Sequence, residues 1–354
     1  MKRVLLLAAG LALLSADAVA QQWPETPRRP VATYSIVARD PQTGQLGVAV
    51  QSHWFCVGCI VAWAEAGVGA VATQSFVEPS YGPNGLALMQ KGMSAPDALV
   101  NLLAKDKGRA VRQVAFVDAN GTAAVWTGAK DIEAAGNAVG KGADGTTSRQ
   151  IPDTAQDGVV HVGKHYSVQA NMMLNDRVWP AMAKAFEESK GDLAERMLAA
   201  LEAAQAVGGD IRGKQSAALI VVSGKPAGRP WADRVFDLRV DDNPEPLKEL
   251  RRLVTLNRAY NHMNAGDVAV EHKDNEGALR EYASAEKLVP NHPEMMYWHA
   301  VALVNMGRVD DSLPLFRRVF QIDRNWVELT RRLPKSDLLP KDPKLIERIT
   351  AEAK

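Results

Sequence analysis

The strand-like and helical segments of this chain follow one another in groups. Runs of Val, Ile, Ala and Thr, which are typical of strands, form hairpins around turn sequences such as Asp40-Pro41 and Asn120-Gly121. Two pairs of helical segments, between 82 and 106 and between 175 and 206, separate these groups of strands. Parallel α/β folds alternate strands and helices one by one, whereas antiparallel sheets covered by helix pairs produce the order seen here. The order therefore predicts a layered α+β fold.

The individual elements are predicted from periodicity and from their start and stop signals. Strands are predicted at 33–39, 46–52, 57–62 and 68–75, in a hairpin over 112–128, near 216–222 and near 235–241. Helices are predicted within 82–92 and 94–106, near 175–189 and near 192–206. The second helix begins with a Ser94-x-x-Asp97 pattern, which is typical of a capping box. The stretch 129–164 is rich in Gly, Asp and Thr and predicts an extended loop.

The chain changes character at about residue 243, where a Pro-containing joint is followed by charged helical sequence without strand-like runs. Ala278 and Tyr282 recur as Ser312 and Phe316, 34 positions later. A 34-residue period of small and aromatic positions resembles a tetratricopeptide repeat. The sequence therefore predicts a small all-α helical-repeat domain after the α+β domain.

The N-terminus has the three parts of a secretory signal. Lys2 and Arg3 are positively charged, Val4–Leu14 is apolar, and Ala18-Val19-Ala20 is a small-x-small cleavage site. We expect an exported protein, periplasmic or secreted, with a signal peptide at 1–20. The apolar run is too short to span a bilayer, so no membrane insertion is expected after signal cleavage.

A leader of sequence "QQWPETPRRPVA" connects the signal peptide to the first predicted strand. It covers residues 21–32, holds three prolines and has no periodicity. The complete expected organisation is a signal peptide at 1–20, a leader at 21–32, an α+β domain at 33–242 and a helical domain at 243–354.

Composition excludes several classes of function. The formal net charge of +1 gives no general attraction to nucleic acid, and no basic stripe is interleaved with aromatic residues. The chain contains no phosphate-binding Gly-x-x-x-x-Gly-Lys, no Gly-x-Ser-x-Gly and no His-Glu-x-x-His motif. No nucleic-acid partner, cofactor or metal site is therefore expected.

The only two cysteines form a Cys-x-x-Cys motif at Cys56 and Cys59. In an oxidising compartment such a pair forms a local disulfide, or it carries out redox chemistry when it opens a helix. The neighbouring residues Phe55, Val57 and Ile60 indicate a strand, which favours a structural pair. Redox catalysis stays as an alternative.

Thr33 is the residue on which a catalytic interpretation depends. A threonine hydroxyl needs a base, and when threonine is the first residue of a chain its own α-amine supplies that base. The chemistry also needs donors for the oxyanion that forms on the substrate. It requires neither His nor Cys, so the missing triad motifs do not exclude a hydrolase.

Five sequence blocks in the same order resemble the DUF1028 family, which is grouped with N-terminal-nucleophile (Ntn) hydrolases. They are "TYSIVARDPQTGQLGVAVQS", "WAEAGVGAVATQS", "YGPNGLALMQKGMSAPDAL", "YSVQANMM" and "GGDIRGKQSAALIVV". The resemblance spans about 33–242 and implies a four-layer αββα sandwich with Thr33 as nucleophile. Some relatives carry a C-terminal peptidoglycan-binding extension, and "DLRVDDNPEPLKELRRL" is similar to its start.

The chain departs from these relatives because a leader precedes Thr33. Removal of the signal peptide leaves Thr33 inside the chain, with its amine in a peptide bond. A second cut between Ala32 and Thr33 is therefore required before the amine is free. Attack by Thr33 on its own peptide bond would make that cut, since Ala32 is small.

The same blocks supply candidate helper residues. Ser52 ends the strand predicted to pair with that of Thr33, and Asn171 would donate to the oxyanion or cap a helix. Asp210 and Arg212 would orient the Thr33 amine or bind a substrate carboxylate, with a solvated turn salt bridge as the alternative. Gln215 and Ser216 are further polar residues at the start of an apolar strand.

Three functions remain open from the sequence. The first is an exported amidohydrolase that cleaves a small-molecule or peptide amide through Thr33. The second is a non-catalytic periplasmic binding or scaffold protein, whose C-terminal helices bind a protein or peptidoglycan. The third is a thiol redox protein that uses Cys56 and Cys59. An uncleaved leader favours the second, because a blocked amine cannot act as a base.

Overall fold

The computed structural model of this 354-residue chain describes residues 30–143, 145–151 and 155–354. The expected signal peptide and leader residues 21–29 lie outside the described residues. Among the described helices, none combines the length and the apolar character that crossing a membrane requires.

One antiparallel six-stranded sheet, named sheet I, contains Thr33 at the end of a central strand. In order across the sheet, its strands are β12 (Arg234–Val240), β11 (Ser216–Val222), β2 (Leu46–Ser52), β1 (Thr33–Arg39), β10 (Tyr166–Asn171) and β7 (Gly136–Val139). The register places Ser52 opposite Thr33 on one side and Asn171 opposite it on the other. Polar residues from three distant parts of the sequence therefore meet at this end of the sheet.

A second antiparallel six-stranded sheet is named sheet II. In order, its strands are β3 (Ala62–Glu65), β4 (Gly69–Ser75), β5 (Arg112–Asp118), β6 (Thr122–Gly128), β9 (Gly158–Lys164) and β8 (Thr147–Arg149). The predicted β5–β6 hairpin is confirmed, and Gly121 has the positive φ of 78° that its tight turn requires.

Four helices accompany the two sheets: α1 (Tyr81–Gln90), α2 (Ala95–Leu103), α3 (Val178–Glu188) and α4 (Leu193–Ala206). Neighbouring strand residues point to opposite faces. Ile36 packs in an apolar cluster with α3 and α4, whereas Val37 shares a cluster with Val117 of sheet II. Phe116 packs in a third cluster with α1 and α2. The predicted combination of antiparallel sheets with helix pairs is confirmed.

The prediction of a strand at 57–62 is wrong. Val57–Cys59 form a single 3-10 turn, and β3 begins only at Ala62. A disulfide joins Cys56 to Cys59 with their Cα atoms 5.5 Å apart. An extended strand would separate residues i and i+3 by about 10 Å, at roughly 3.3 Å per residue. The cross-link therefore excludes a strand here.

The prediction of a loop over 129–164 is also wrong in part, since β7, β8 and β9 lie within it. Strand β9 pairs along its whole length with β6, and β7 pairs with β10. Strand β7 consists of Gly, Asn, Ala and Val and has little intrinsic strand preference, so its pairing with β10 determines its conformation. Strand β9 contains three valines, which favour a strand and were a signal against the loop prediction.

The C-terminal part is helical, as predicted. Its helices are α5 (Pro246–Glu271), α6 (Asn275–Leu288), α7 (Pro293–Asn305), α8 (Val309–Ile322), α9 (Asn325–Arg332) and α10 (Pro343–Thr350). The recurring pairs, Ala278 with Tyr282 and Ser312 with Phe316, are buried in α6 and α8. With the four helices of the first domain, these make ten α-helices in the described part of the chain.

Helix α5 joins this helical region to sheet I. Leu250 and Val254 belong to the same apolar cluster as α3 and α4. On the surface beside them, Arg251 pairs with Glu195 and Glu202 of α4, at 2.8 and 2.6 Å. The first half of α5 is therefore part of the core of the α+β domain.

Candidate functional site

Thr33 is completely buried at the start of β1. Its hydroxyl donates a 2.7 Å hydrogen bond to the carbonyl oxygen of Val31, two residues earlier. Its own carbonyl oxygen accepts from the side-chain amide of Gln74, 3.2 Å away on sheet II. Thr33 is thus held from both sheets while the leader covers it.

The carbonyl oxygen of Ala32, which belongs to the peptide bond in front of Thr33, accepts two side-chain hydrogen bonds. The hydroxyl of Ser52 donates a short one. The Nη2 of Arg212 donates the other at 3.1 Å. Two convergent donors on one carbonyl oxygen are the geometry that stabilises an oxyanion during attack on the carbonyl carbon. Ser52 and Arg212 are therefore placed around the bond that precedes the predicted nucleophile.

Asp210 fixes the position of Arg212. Its carboxylate accepts from the Nε of Arg212 at 3.1 Å and from Nη2 at 2.8 Å. It also accepts from the backbone N–H of His53 at 3.0 Å. The Asp210 side chain has no exposed surface, whereas that of Arg212 is 27% exposed. The pair is consequently a positioned, largely buried ion pair, and the alternative of a solvated turn salt bridge is wrong.

The loop that carries this ion pair depends on glycine. Gly209 and Gly213 stand on either side of it with φ values of 60° and 115°. Residues with side chains rarely adopt such conformations. The backbone bridge between Met173 and Asp210 ties the loop to the end of β10. The motif "GGDIRG" therefore forms a tight turn that brings Asp210 and Arg212 back toward β1.

Asn171 lies beside Thr33, and its role as an oxyanion donor stays a prediction. It is the last residue of β10, and the N-cap of the following helix α3 is Arg177. Its amide donates to Gln113 at 2.9 Å, and its buried side-chain oxygen has no hydrogen-bond partner. The helix-cap alternative is wrong, and the amide nitrogen is engaged away from the Ala32 carbonyl.

Gln215 and Ser216 lie outside the group around Ala32. The Ser216 hydroxyl donates to the Trp54 carbonyl and accepts from the Val57 N–H at 3.1 Å. Gln215 donates to Asp242 at 3.2 Å. Ser216 therefore holds the segment around the disulfide against β11, whereas Gln215 contacts the chain that follows β12.

A buried polar network beside Thr33 was not predicted. The Ser35 hydroxyl donates to Gln74 and accepts from Gln169, both at 2.6 Å. Gln74 in turn donates to Gln113 at 2.7 Å. These are polar residues within otherwise apolar strand runs, which is costly unless every group is hydrogen-bonded. Polar residues within apolar strand runs were therefore the sequence signal from which this network could have been found.

Ser75 and Asp131 form a second unpredicted pair next to the leader. The Ser75 hydroxyl donates to Asp131 at 2.7 Å, and Ser75 has a φ of 69°, unusual for a residue with a side chain. The other carboxylate oxygen of Asp131 is buried without a partner. Burial raises the pKa of Asp131 to about 7, although the hydrogen bond from Ser75 acts in the opposite direction.

Cys56, Cys59 and Asp241 are the one group within the described ranges whose metal-binding atoms lie close enough to share an ion. Both sulfur atoms are joined in the disulfide, and the Cys56 N–H donates to the Asp241 carbonyl at 3.0 Å.

The first domain matches the model of a "family of unknown function (DUF1028)" over residues 33–147 and 142–250. The match begins at Thr33 and includes Ser52, Asp210 and Arg212. The chain belongs to the DUF1028 family.

A solved structure of a DUF1028 protein from Silicibacter pomeroyi is also similar to this chain. The two sequences are 30% identical, with 63% of this chain and 88% of the other covered, and the TM-score is 0.48. No curated protein matches this chain.

We predict that the polar network is required for the stability of the DUF1028 domain. Replacement Gln113→Leu removes the partner of the Gln74 and Asn171 amides. Each of these two unsatisfied amides costs about 1–3 kcal/mol, so the free energy of unfolding should fall by roughly 2–6 kcal/mol. Urea unfolding followed by circular dichroism measures the loss. The exposed Gln42→Leu is the control and should change stability by less than about 0.5 kcal/mol. Equal unfolding midpoints for both variants would contradict the prediction.

We also predict a pH-dependent effect of Asp131 in the DUF1028 domain. Its folded pKa of about 7 lies above the ordinary value of 3.8. Between these values the folded protein keeps a proton that the unfolded chain has released, so the free energy of unfolding falls as pH rises. Asp131→Asn lacks this titration.

The stability of Asp131→Asn relative to the wild type should therefore increase from about pH 4.5 to about pH 7.5, by about 1.4 kcal/mol for each pH unit between the lower pH and the folded pKa of about 7. Urea unfolding of both proteins at the two pH values measures the change. A difference that is the same at both pH values would show that the carboxyl titrates normally.

Proposed function

We propose that this protein is an exported amidohydrolase of the N-terminal-nucleophile type, activated by cleavage between Ala32 and Thr33. One observation carries the proposal: Ser52 and Arg212 both donate to the carbonyl oxygen of the bond that has to be cut. Two convergent donors at this oxygen are what the oxyanion formed by attack on the Ala32 carbonyl carbon would require.

The first step is self-cleavage. The Thr33 hydroxyl leaves the Val31 carbonyl, and its oxygen attacks the carbonyl carbon of Ala32. The oxyanion on Ala32 is held by Ser52 and Arg212. The carbon–nitrogen bond then breaks, and the hydroxyl proton ends on the Thr33 nitrogen. Water hydrolyses the resulting ester, which releases the leader as a carboxylate and leaves Thr33 with a free amine and hydroxyl.

The second step uses the same donors on a substrate. The Thr33 amine takes the hydroxyl proton as the oxygen attacks an amide carbon, and the leaving amine then receives that proton. Water hydrolyses the acyl ester and restores Thr33. The two side-chain hydrogen bonds to the buried carboxylate of Asp210 keep the Arg212 guanidinium in place throughout.

The fold and the disulfide support this proposal. Two apolar clusters connect the sheets to helix pairs on opposite sides, and a third connects sheet I to sheet II. This arrangement favours the four-layer αββα sandwich of Ntn hydrolases. The Cys56–Cys59 disulfide favours an oxidising compartment, in agreement with the signal-like sequence at 1–20.

The C-terminal helices are proposed to bind a protein or peptidoglycan partner as tetratricopeptide-like repeats. The buried Ala278–Tyr282 and Ser312–Phe316 pairs, 34 positions apart, support this assignment. The amide substrate would then belong to the same compartment as that partner.

A non-catalytic binding role is the second candidate. The observation that favours it is the complete burial of Thr33 beneath Val31 and Ala32, both of which also have no exposed surface. A chain that retains its leader has neither a free amine nor an accessible hydroxyl at this position.

We predict that the protein exported from bacterial cells begins at Thr33 and that Thr33→Ala begins at Gln21. Thr33→Ser should still be cleaved, because it keeps the hydroxyl. Intact mass and N-terminal sequencing of each purified protein identify the start. The control is Thr122→Ala, which alters the first residue of another strand and should leave cleavage unchanged. A wild-type chain that begins at Gln21 in all molecules, or a cleaved Thr33→Ala, rejects the proposal and supports the binding role.

We further predict that Ser52→Ala slows self-cleavage. Loss of one oxyanion donor typically reduces a rate by about 10²–10³. The half-life of purified leader-bearing protein, followed by mass spectrometry, measures the effect. Ser167→Ala is a matched control, since Ser167 is also a buried strand serine but donates to Gln169. Equal rates for the two variants would exclude Ser52 as an oxyanion donor.

A further inference from the structure

Residues 30–32 of the leader lie in a closed slot between the two sheets and the "GGDIRG" loop. Val31 and Ala32 have no exposed surface, and Val31 belongs to the apolar cluster between the sheets. The hydrogen bonds to residues 30–32 are made to their backbone groups, so the slot has the shape and polarity that fit an extended peptide.

Val31 pairs with Ser75 as an added strand residue. The Val31 N–H donates to the Ser75 carbonyl at 2.7 Å, and the Ser75 N–H donates to the Val31 carbonyl at 3.1 Å. Strand β3 pairs with β4 only as far as Ala72, which leaves this edge of Ser75 available. Adding a strand to a free sheet edge is a common way of binding peptides in proteins.

Arg212 contacts the same segment from the opposite side. Its Nη2 donates to the Ala32 carbonyl oxygen, and its Nη1 donates to the Pro30 carbonyl oxygen at 3.4 Å. Four backbone positions of three consecutive residues are thus contacted: the Pro30 carbonyl, both polar groups of Val31 and the Ala32 carbonyl. All four contacts are made to backbone groups, so they do not depend on the side chains of residues 30–32. The side chains are restricted only by the space around them.

Cleavage leaves these protein groups without partners. The N–H and carbonyl of Ser75, the hydroxyl of Ser52 and part of the Arg212 guanidinium all lose an acceptor or donor. Unpaired buried polar groups are costly, so the vacated slot favours a ligand that restores the same bonds. An extended peptide does so, whereas a small amide without a preceding peptide bond does not.

We propose that the processed protein hydrolyses extended peptides that bind as Pro30–Ala32 does. The residue whose carbonyl is attacked is Ala or smaller, and the residue before it is apolar and close to Val in size. The residue before that is selected weakly, because only its carbonyl is contacted. This inference rests on the proposed function for catalysis, but binding to the slot can be measured without it.

The binding test uses the chain that starts at position 33 and carries Thr33→Ala, released from a fusion cut directly before that position. All described strands and helices lie at or after this residue, so both sheets are retained. The probe is the acetylated peptide of residues 28–32, Arg-Arg-Pro-Val-Ala, with a free carboxylate. Isothermal titration calorimetry measures its affinity, and circular dichroism checks folding.

We expect the peptide to bind, and its Val31→Asp and Ala32→Leu versions to bind at least about tenfold more weakly, since a tenfold change corresponds to about 1.4 kcal/mol. Arg212→Met in the protein should weaken binding to a similar degree. Arg177→Met, which changes an exposed arginine, should not. Equal affinity for all three peptides, or no binding to the folded protein, overturns the inference.

A hydrolysis test separates this inference from the proposed function. The chain that begins with Thr33 is given the same peptides as C-terminal anilides. Preferred cleavage of the Pro-Val-Ala anilide supports both the peptide-binding slot and the proposed hydrolase activity. Selective peptide binding without any cleavage rejects the hydrolase and keeps the slot. Cleavage that is equally fast for the Ala32→Leu anilide keeps the hydrolase and rejects the slot.

If the shortened chain does not fold, the full chain provides a second test. Val31→Asp and Ala32→Leu in the leader should each slow self-cleavage at least tenfold, whereas the exposed Gln42→Leu should leave it unchanged. Unchanged rates for both altered leaders would reject the slot, provided that the wild type is cleaved.

Discussion

The position of β1 between β2 and β10 is the constraint on which the candidate site depends. This pairing stops at the same level on all three strands, so that Thr33, Ser52 and Asn171 end side by side. The chain in front of Thr33 therefore has to leave the sheet there. It turns toward sheet II and pairs with Ser75, and this turn presents the Ala32 carbonyl to Ser52 and to Arg212. A shift of β1 by one residue would exchange the inward and outward side chains and destroy the arrangement.

Much of this fold follows from local sequence. The strands around Thr33 are regular runs between clear turn signals, and the helices have recognisable ends, such as the Ser94 side chain that accepts the Asp97 N–H. The hairpin pattern alone predicts that Ser52 lies beside Thr33, because the register of two strands follows from the turn between them. The family resemblance points to Asp210 and Arg212 as candidates, yet their contact with the residues around Thr33 involves the long-range bridge between Met173 and Asp210.

The buried glutamine network, one short strand and the turn at the disulfide could not be predicted, because each depends on an interaction that local sequence preference does not show. Gln74 and Gln113 are acceptable in buried strands only because each completes the hydrogen bonds of the other and of neighbours on the opposite sheet. The strand at Gly136–Val139 forms because β10 offers it an edge for pairing, although its Gly, Asn and Ala residues have little strand preference. The neighbours of Cys56 and Cys59 indicate a strand, but a covalent bond between the two cysteines enforces a turn. In each case a tertiary or covalent interaction outweighs the local preference.

If the proposed cleavage takes place, the contacts with the leader determine whether the site opens afterwards. While the leader is joined to Thr33, it fills the slot within the same molecule and avoids the entropic cost of association. A slot of only moderate affinity is therefore filled in the uncut chain, and Val31 and Ala32 are completely buried there. Cutting the bond before Thr33 turns the same contacts into an intermolecular interaction with a peptide that dilutes into its surroundings. A slot of moderate affinity would therefore hold the leader in the uncut chain and release it from the cut chain. A slot that bound the leader tightly would stay occupied after the cut.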